Sequence, residues 1–197
     1  MISDEKKYIA KYIEQHCILY PETHFFGKLP GTRYKAQYYL ARALYNTEIM
    51  EKIVDIFYEI INENVGFFDF QITGRQWSSI PLLTAIPLLL RHKYNININS
   101  FMIKRERKTY GIHNYIEGIP NELPVMIVDD ICNSTDSFRF CHQVLLSENL
   151  TTFPYFFAVL NKYKKDIVPK ALEEDRYLRN GYKPLTILNG DDINVSR

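Results

Sequence analysis

Neither sign of charge is in excess in this chain. Lys and Arg number 24 against 23 Asp and Glu, so no sequence-wide field draws it to nucleic acid or to a membrane surface. Cysteine is scarce as well. Cys17, Cys132 and Cys141 are odd in number and lack the spacing of a metal site. That argues against a disulfide scaffold and for a reducing compartment, the cytoplasm. Long apolar runs are missing. The longest, Ile80 to Leu90, holds two prolines and is too short to span a bilayer. The opening Met-Ile-Ser-Asp-Glu-Lys-Lys is charged and does not read as a signal peptide. There is no Walker loop, dinucleotide fingerprint or zinc pattern. The histidines, His16, His24, His92, His113 and His142, share no ligand spacing. What is present is a chain of 197 residues that is 46% hydrophobic. That is enough for one compact domain with a sizeable core.

Hydrophobic spacing predicts a first helix over 4–17, with Tyr8, Ile9, Tyr12 and Ile13 on one face. Residues 18–45 read as an aromatic, strand-like segment broken by the turn Lys28-Leu-Pro-Gly-Thr32. Asn46-Thr47 can cap a second helix, along which Ile49, Ile53, Phe57 and Ile60 recur at helical spacing. Then come a strand at 67–72, a helix at 80–93, a strand at 95–104 and a polar loop at 105–123. A strand at 125–130, a helix at 136–148 and strands at 153–161 and 185–188 complete the order. This alternation predicts an α/β fold, a parallel sheet flanked by helices. Residues 1–45 would form an N-terminal helix and a small hood over one end of the sheet. Residues 46–197 would form the α/β core of the same single domain.

The densest chemistry lies in Val125-Met-Ile-Val-Asp-Asp130 and the turn after it. An unalternating apolar run reads as a strand buried on both faces. Ligands of such sheets bind at the carboxyl ends of the strands. There Asp129 and Asp130 can accept hydrogen bonds from the vicinal hydroxyls of a ribose, or hold Mg²⁺ through water. The plain alternative is a pair of solvated acids at a strand end. The turn Asn133-Ser-Thr-Asp136 carries hydroxyl donors at the start of a helix, where an anion is favoured. Asp136 works against a phosphate there, or caps the helix instead. Arg75, Ser78 and Ser79 precede another helix start and can meet a second anion, or form an ordinary capping turn.

The acid-pair strand and its turn resemble the 5-phosphoribosyl-1-pyrophosphate motif of type I phosphoribosyltransferases. Lys104 to Gly111 resembles the mobile loop of the orotate branch, whose pattern is Arg-Lys-Glu-x-Lys-x-His-Gly. Lys104 and Arg105 take the first two places, Glu106 matches, Lys108 takes the loop lysine and Gly111 matches. Ile80-Pro81 also fits that branch. Three positions depart from the pattern. Ser78 stands for a lysine, Tyr110 for the histidine, and Thr135-Asp136 for a Gly-Thr pair.

The resemblance spans roughly residues 20–165. It implies a type I phosphoribosyltransferase fold, a homodimer, and Mg²⁺-dependent exchange of pyrophosphate for a nitrogenous base on ribose. Lys108, Asp129 and Asp130 would be catalytic, with Mg²⁺ on the two acids through water. Lys104, Arg105, Arg75, Ser78, Ser79, Asn133, Ser134, Thr135 and Asp136 would bind phosphoribosyl pyrophosphate. The hood aromatics Phe25, Phe26, Tyr34, Tyr38 and Tyr39 can cover a flat base, with Lys28, Arg33 or Asn161-Lys162 nearby, or can simply pack. The departures keep a second reading open. It is a divergent effector or regulator, for example of a bacterial anti-phage defence system, that binds or modifies nucleotides or a macromolecular partner. A third reading is a structural or assembly module that kept only the fold.

Overall fold

The protein is described by a computed structural model covering residues 3–20, 36–106, 114–132, 135–162 and 182–195. Helix α1 spans Asp4–His16 and is capped by the Ser3 side chain, which accepts from the Lys6 N–H. Strands β1 (Ile18–Leu19) and β2 (Gln37–Tyr38) pair antiparallel. They are the described part of the expected hood. Phe25, Phe26, Lys28, Arg33 and Tyr34 lie outside the described residues. A short helix, α2 (Ala41–Leu44), replaces the extended structure expected there, because Ala43 and Leu44 turn into the core against α3.

Helix α3 (Thr47–Asn64) begins where Asn46 Oδ1 accepts from the Ile49 N–H at 3.0 Å. It buries Ile49, Ile53, Phe57 and Ile60, the residues its spacing singles out. Strand β3 (Gln71–Arg75) starts four residues later than expected. Pairing with the neighbouring strand begins only at Gln71, while Phe67 and Phe68 pack edge-on to Phe153 and stacked on Tyr58. Helix α4 (Ile80–Tyr94) ends at Asn95, which takes a left-handed conformation with φ 57°. That turn shortens strand β4 to Ser100–Ile103. A two-residue strand, β5 (Ile116–Glu117), stands inside the segment read as loop. Strand β6 (Val125–Cys132), helix α5 (Asp136–Ser147), strand β7 (Thr152–Asn161) and strand β8 (Lys183–Asn189) follow. A 3₁₀ turn, Gly190–Asp192, closes the chain's described part.

The main sheet has the order β5-β4-β3-β6-β7-β8. Every pairing is parallel except β4 with β5. From β3 the chain crosses to β4 on one side and later to β6 on the other. The direction of winding therefore reverses between β3 and β6. One core, including Ile53, Phe57, Leu82 and Phe157, lies under α1, α3 and α4. A second, including Ile127, Phe138, Cys141 and Phe156, lies under α5 on the opposite face. Phe57 meets Phe157 edge-on at 4.8 Å, both fully buried. Burial of each such ring contributes about 1.5–3 kcal/mol.

The amino end of β3 is fixed by the buried Gln71. Its amide donates to the Asn121 and Leu123 carbonyls at 2.8 and 2.7 Å, and accepts from the Asn121 N–H and from Asn99 Nδ2. With its donors and its acceptor all in use, the buried amide costs little. The carboxyl end of the same strand is left to the site.

Candidate active site at the carboxyl ends of β3 and β6

A sheet whose winding reverses between two strands leaves a crevice outside their carboxyl ends, because the following helices cover opposite faces. Here α4 leaves β3 on one face and α5 leaves β6 on the other. Asp129 and Asp130 stand at that crevice. They do not end β6 as expected. Ile131 and Cys132 continue it and pair with Leu160 and Asn161.

Asp129 is buried. Its Oδ1 accepts from Ser78 Oγ at 2.7 Å and from the Asp130 N–H at 2.9 Å. Burial pushes its carboxyl up, while hydrogen bonds from Ser78, Asp130 and Ser137 act in the opposite sense. Asp130 accepts from the Ile131 N–H at 2.8 Å. Burial, and then the charge of Asp129 beside it, push Asp130 up to about 8. Two adjacent, largely buried carboxyl groups at a crevice form an acceptor set for hydroxyls and an attractive place for positive charge.

The β3–α4 loop supplies the other wall. Gly74 lets it press against β6: a Cβ there would lie 2.4 Å from both the Ser79 Cβ and the Val128 carbonyl oxygen. Ser79 is buried, and its hydroxyl donates to the Arg75 carbonyl at 2.7 Å. The Ser78 hydroxyl is directed at Asp129. Arg75 turns toward α5, with its guanidinium 4.5 Å from the centre of the Phe140 ring. Its Nε is buried with no hydrogen-bond partner. The Gln76–Trp77 peptide is cis.

No family model matches the chain, and neither does any curated protein. Solved structures do. A phosphoribosyltransferase from Corynebacterium diphtheriae superposes with a TM-score of 0.72 at 16% identity, covering 97% of this chain and 99% of that one. The Mycobacterium tuberculosis orotate phosphoribosyltransferase in complex with 5-phospho-α-D-ribosyl 1-diphosphate gives 0.66 at 15% identity, over 98% and 94%. The adenine phosphoribosyltransferase of Saccharomyces cerevisiae gives 0.62 at 15% identity, over 92% and 99%. The chain has the type I phosphoribosyltransferase fold.

Within the phosphoribosyltransferase fold, the remaining residues singled out in the sequence fall in three groups. Lys104 and Arg105 leave β4 together and part. Lys104 is buried, and its ammonium donates to Asn114 Oδ1 at 2.6 Å and pairs with Glu117 at 3.2 Å. Its backbone N–H donates to the Tyr115 carbonyl at 2.8 Å. It thus ties β4 to β5. Arg105 is exposed, beside the Gln76 side chain. At the start of α5, Thr135 is buried, and no side-chain bond caps the helix. Asp136 does not cap α5 either. It is the first helical residue and pairs with Arg139 one turn on. Lys108, Tyr110, Gly111 and His113, together with Asn133 and Ser134, lie outside the described residues.

Sequence reading missed three features of this site. The hydroxyl of Ser78 reaches Asp129 across 51 residues. Asn114 and Glu117 hold Lys104. Gly74 sets how closely the loop approaches β6. Only the glycine left a signal, standing one residue before the end of an apolar strand and ahead of a helix.

Proposed function

We propose that the protein transfers a ribose phosphate between pyrophosphate and a nitrogenous base. The observation that carries this reading is the acid pair, Asp129 and Asp130, at the crevice where the winding reverses. Its carboxyls take hydrogen bonds from the ribose hydroxyls, and the negative charge of the pair, complete once Asp130 has lost its proton, favours the positive charge that develops on the ribose. In the step itself, the bond from the anomeric carbon to a pyrophosphate oxygen breaks. A bond to the base nitrogen forms, and the proton of that nitrogen passes to the departing pyrophosphate. Lys108 and Arg105 meet the charge gained by the leaving pyrophosphate. The Ser79 backbone N–H, with Asn133, Ser134 and Thr135, supplies donors at the two helix starts, with Arg75 beside the second. Lys104 fixes the base of the 105–115 segment.

The acid pair fits Mg²⁺ held through water, since both side chains are hard oxygen donors and an ion there would displace the proton that burial leaves on Asp130. Among the described residues, no group of three or more His, Cys, Asp or Glu side chains could hold an ion. A hydrated ion completed by substrate phosphates fits this set better than a caged one. Bound there, Mg²⁺ would neutralise part of the pyrophosphate charge. The same reading takes the chain as one domain, with a hood over residues 1–45 and a core over 46–197. It works as a homodimer in the cytoplasm, and orotate-type pyrimidine chemistry is the branch its loop pattern favours.

One observation favours a second reading. Ser78 stands in the family's lysine place, and its hydroxyl is committed to Asp129. A loop without that cation suits a nucleotide-binding effector or regulator, for example in anti-phage defence. One experiment serves both readings. Asp129→Asn with Asp130→Asn keeps side-chain size and removes charge. The variant should lose Mg²⁺-dependent binding of phosphoribosyl pyrophosphate in calorimetry while keeping its circular dichroism. Undiminished binding would remove the pair from the site. Nucleotide binding by the wild type without pyrophosphate exchange would favour the second reading.

A further inference from the structure

The two acids of the pair stand in different surroundings. Backbone pleating turns successive side chains to opposite faces of a sheet. Asp129 comes two residues after Ile127 and lies opposite Ala158, and both of these belong to the core under α5. Asp130 comes two residues after Val128, which belongs to the core under α1, α3 and α4. Asp129 is 4% exposed, whereas Asp130 is half-buried. Donors reach Asp129 from three sides. Ser78 Oγ donates at 2.7 Å from the β3–α4 loop, and the Asp130 N–H donates at 2.9 Å from the strand. The Ser137 side chain, in the first turn of α5, and the Asp130 carboxyl complete the set. Cys141, one turn further along the same face of α5, also lies within the field of Asp129.

A carboxylate offers about four acceptor positions. With four hydrogen bonds already made to it, Asp129 has none to spare for a ligand. Asp130 differs. It accepts from the Ile131 N–H at 2.8 Å, and among the described residues no side-chain hydroxyl, amide or cation donates to it. We propose that Asp130 alone meets the sugar hydroxyls, and that Asp129 is a positioning residue, clasped by Ser78 and Ser137, that ties the β3–α4 loop to the start of α5. The inference rests on the reading of the pair as a ribose site and divides that site between its two acids. The hydroxyls of a bound sugar find open acceptors only on Asp130. Asp129 acts on the ligand through what it holds, the loop and the helix start on either side of the crevice. A buried carboxylate whose acceptor positions are all met is rigid, and turning it toward a ligand would leave the two serine hydroxyls without their partner.

A missing sugar hydroxyl separates the two roles. The full chain and its variants, with Mg²⁺, are titrated by calorimetry with ribose 5-phosphate and with 2-deoxyribose 5-phosphate. The wild type should prefer the ribose compound by about tenfold, the scale of one hydrogen bond to a charged group. Asp130→Ala should bring the two affinities within about twofold of each other, because the open acceptor is gone. Asp129→Asn should weaken both compounds together and keep the wild-type ratio. Ser137→Ala should also weaken both and keep the ratio, and Ser137→Thr, which keeps the hydroxyl, should restore both affinities. If Asp129→Asn does not fold, the Ser137 variants carry the same comparison. A ratio that collapses in Asp129→Asn or in Ser137→Ala would overturn the division and leave the ribose site standing. So would wild-type affinities in Ser137→Ala, which would show that the clasp holds nothing the ligand needs. If the wild type binds neither compound, or binds both equally, the ribose reading fails and the division fails with it.

Discussion

Replacing Asp130 by Asn should stabilise the metal-free protein, and by more at pH 8 than at pH 5. In the folded chain, burial and the neighbouring Asp129 push Asp130 up to about 8. In the unfolded chain an Asp titrates at about 3.9. Between those values the folded state holds a proton that the unfolded state has released. Stability contributed at this position is therefore full below the unfolded value, and is lost as pH rises through the window. Each step of one pH inside that window corresponds to about 1.4 kcal/mol, so the span from pH 5 to 8 sets a ceiling of about 4 kcal/mol. The two acids interact and titrate together, so about 1–3 kcal/mol is the expected change. Asn cannot ionise, and its Oδ1 can still accept from the Ile131 N–H. The wild type should thus lose about 1–3 kcal/mol relative to the variant between pH 5 and 8. Urea unfolding of both proteins at pH 5, 6.5 and 8, without Mg²⁺, measures it. Parallel profiles would refute the argument, because the carboxylate would then not be held against its own charge.

Gly74→Ala should cost about 1–3 kcal/mol, since its Cβ would sit 2.4 Å from Ser79 and from the Val128 carbonyl. Thermal unfolding reads that cost, and a variant as stable as the wild type would show that the loop can retreat from β6. Lys108→Ala should lower pyrophosphate exchange by about 10²-fold, the scale of losing one transition-state donor. An unchanged rate in the folded variant would remove it from the mechanism. Thr135→Gly with Asp136→Thr should tighten ribose 5-phosphate binding in calorimetry, because a carboxylate gives way to a donor and the backbone can approach. Micromolar binding by the unaltered protein would show that its own turn suffices.

Local signals in the chain were enough for the longer helices, though not for α2, and for the class of sheet. Ser3 and Asn46 each cap the helix they precede, and caps act within one turn. The period of Ile49, Ile53, Phe57 and Ile60 is set by the helix itself. The apolar runs at 125–128 and 153–161 read as strands, and they became β6 and β7. The fold was legible in the acid-pair strand and its turn. Strand limits were less legible because hydrogen-bonded neighbours decide them. Gln71 begins β3 where Val125 stands opposite, and Cys132 ends β6 where Asn161 does. The two residues of β5 are too few to leave a period, and they exist because Met102 and Ile103 pair with them.

At the site, the sequence by itself supplied the residue types: two adjacent acids, hydroxyls before two helices and a basic stretch. Which of these meet was decided by tertiary structure alone. Ser78 reaches Asp129 and Arg75 turns to Phe140 only once β3 and β6 lie side by side, and Lys104 is drawn to Glu117 only once β5 pairs with β4. Hydrogen bonds and ion pairs act over a few ångströms. Spacing along the chain cannot say which partners the strand order brings within that reach.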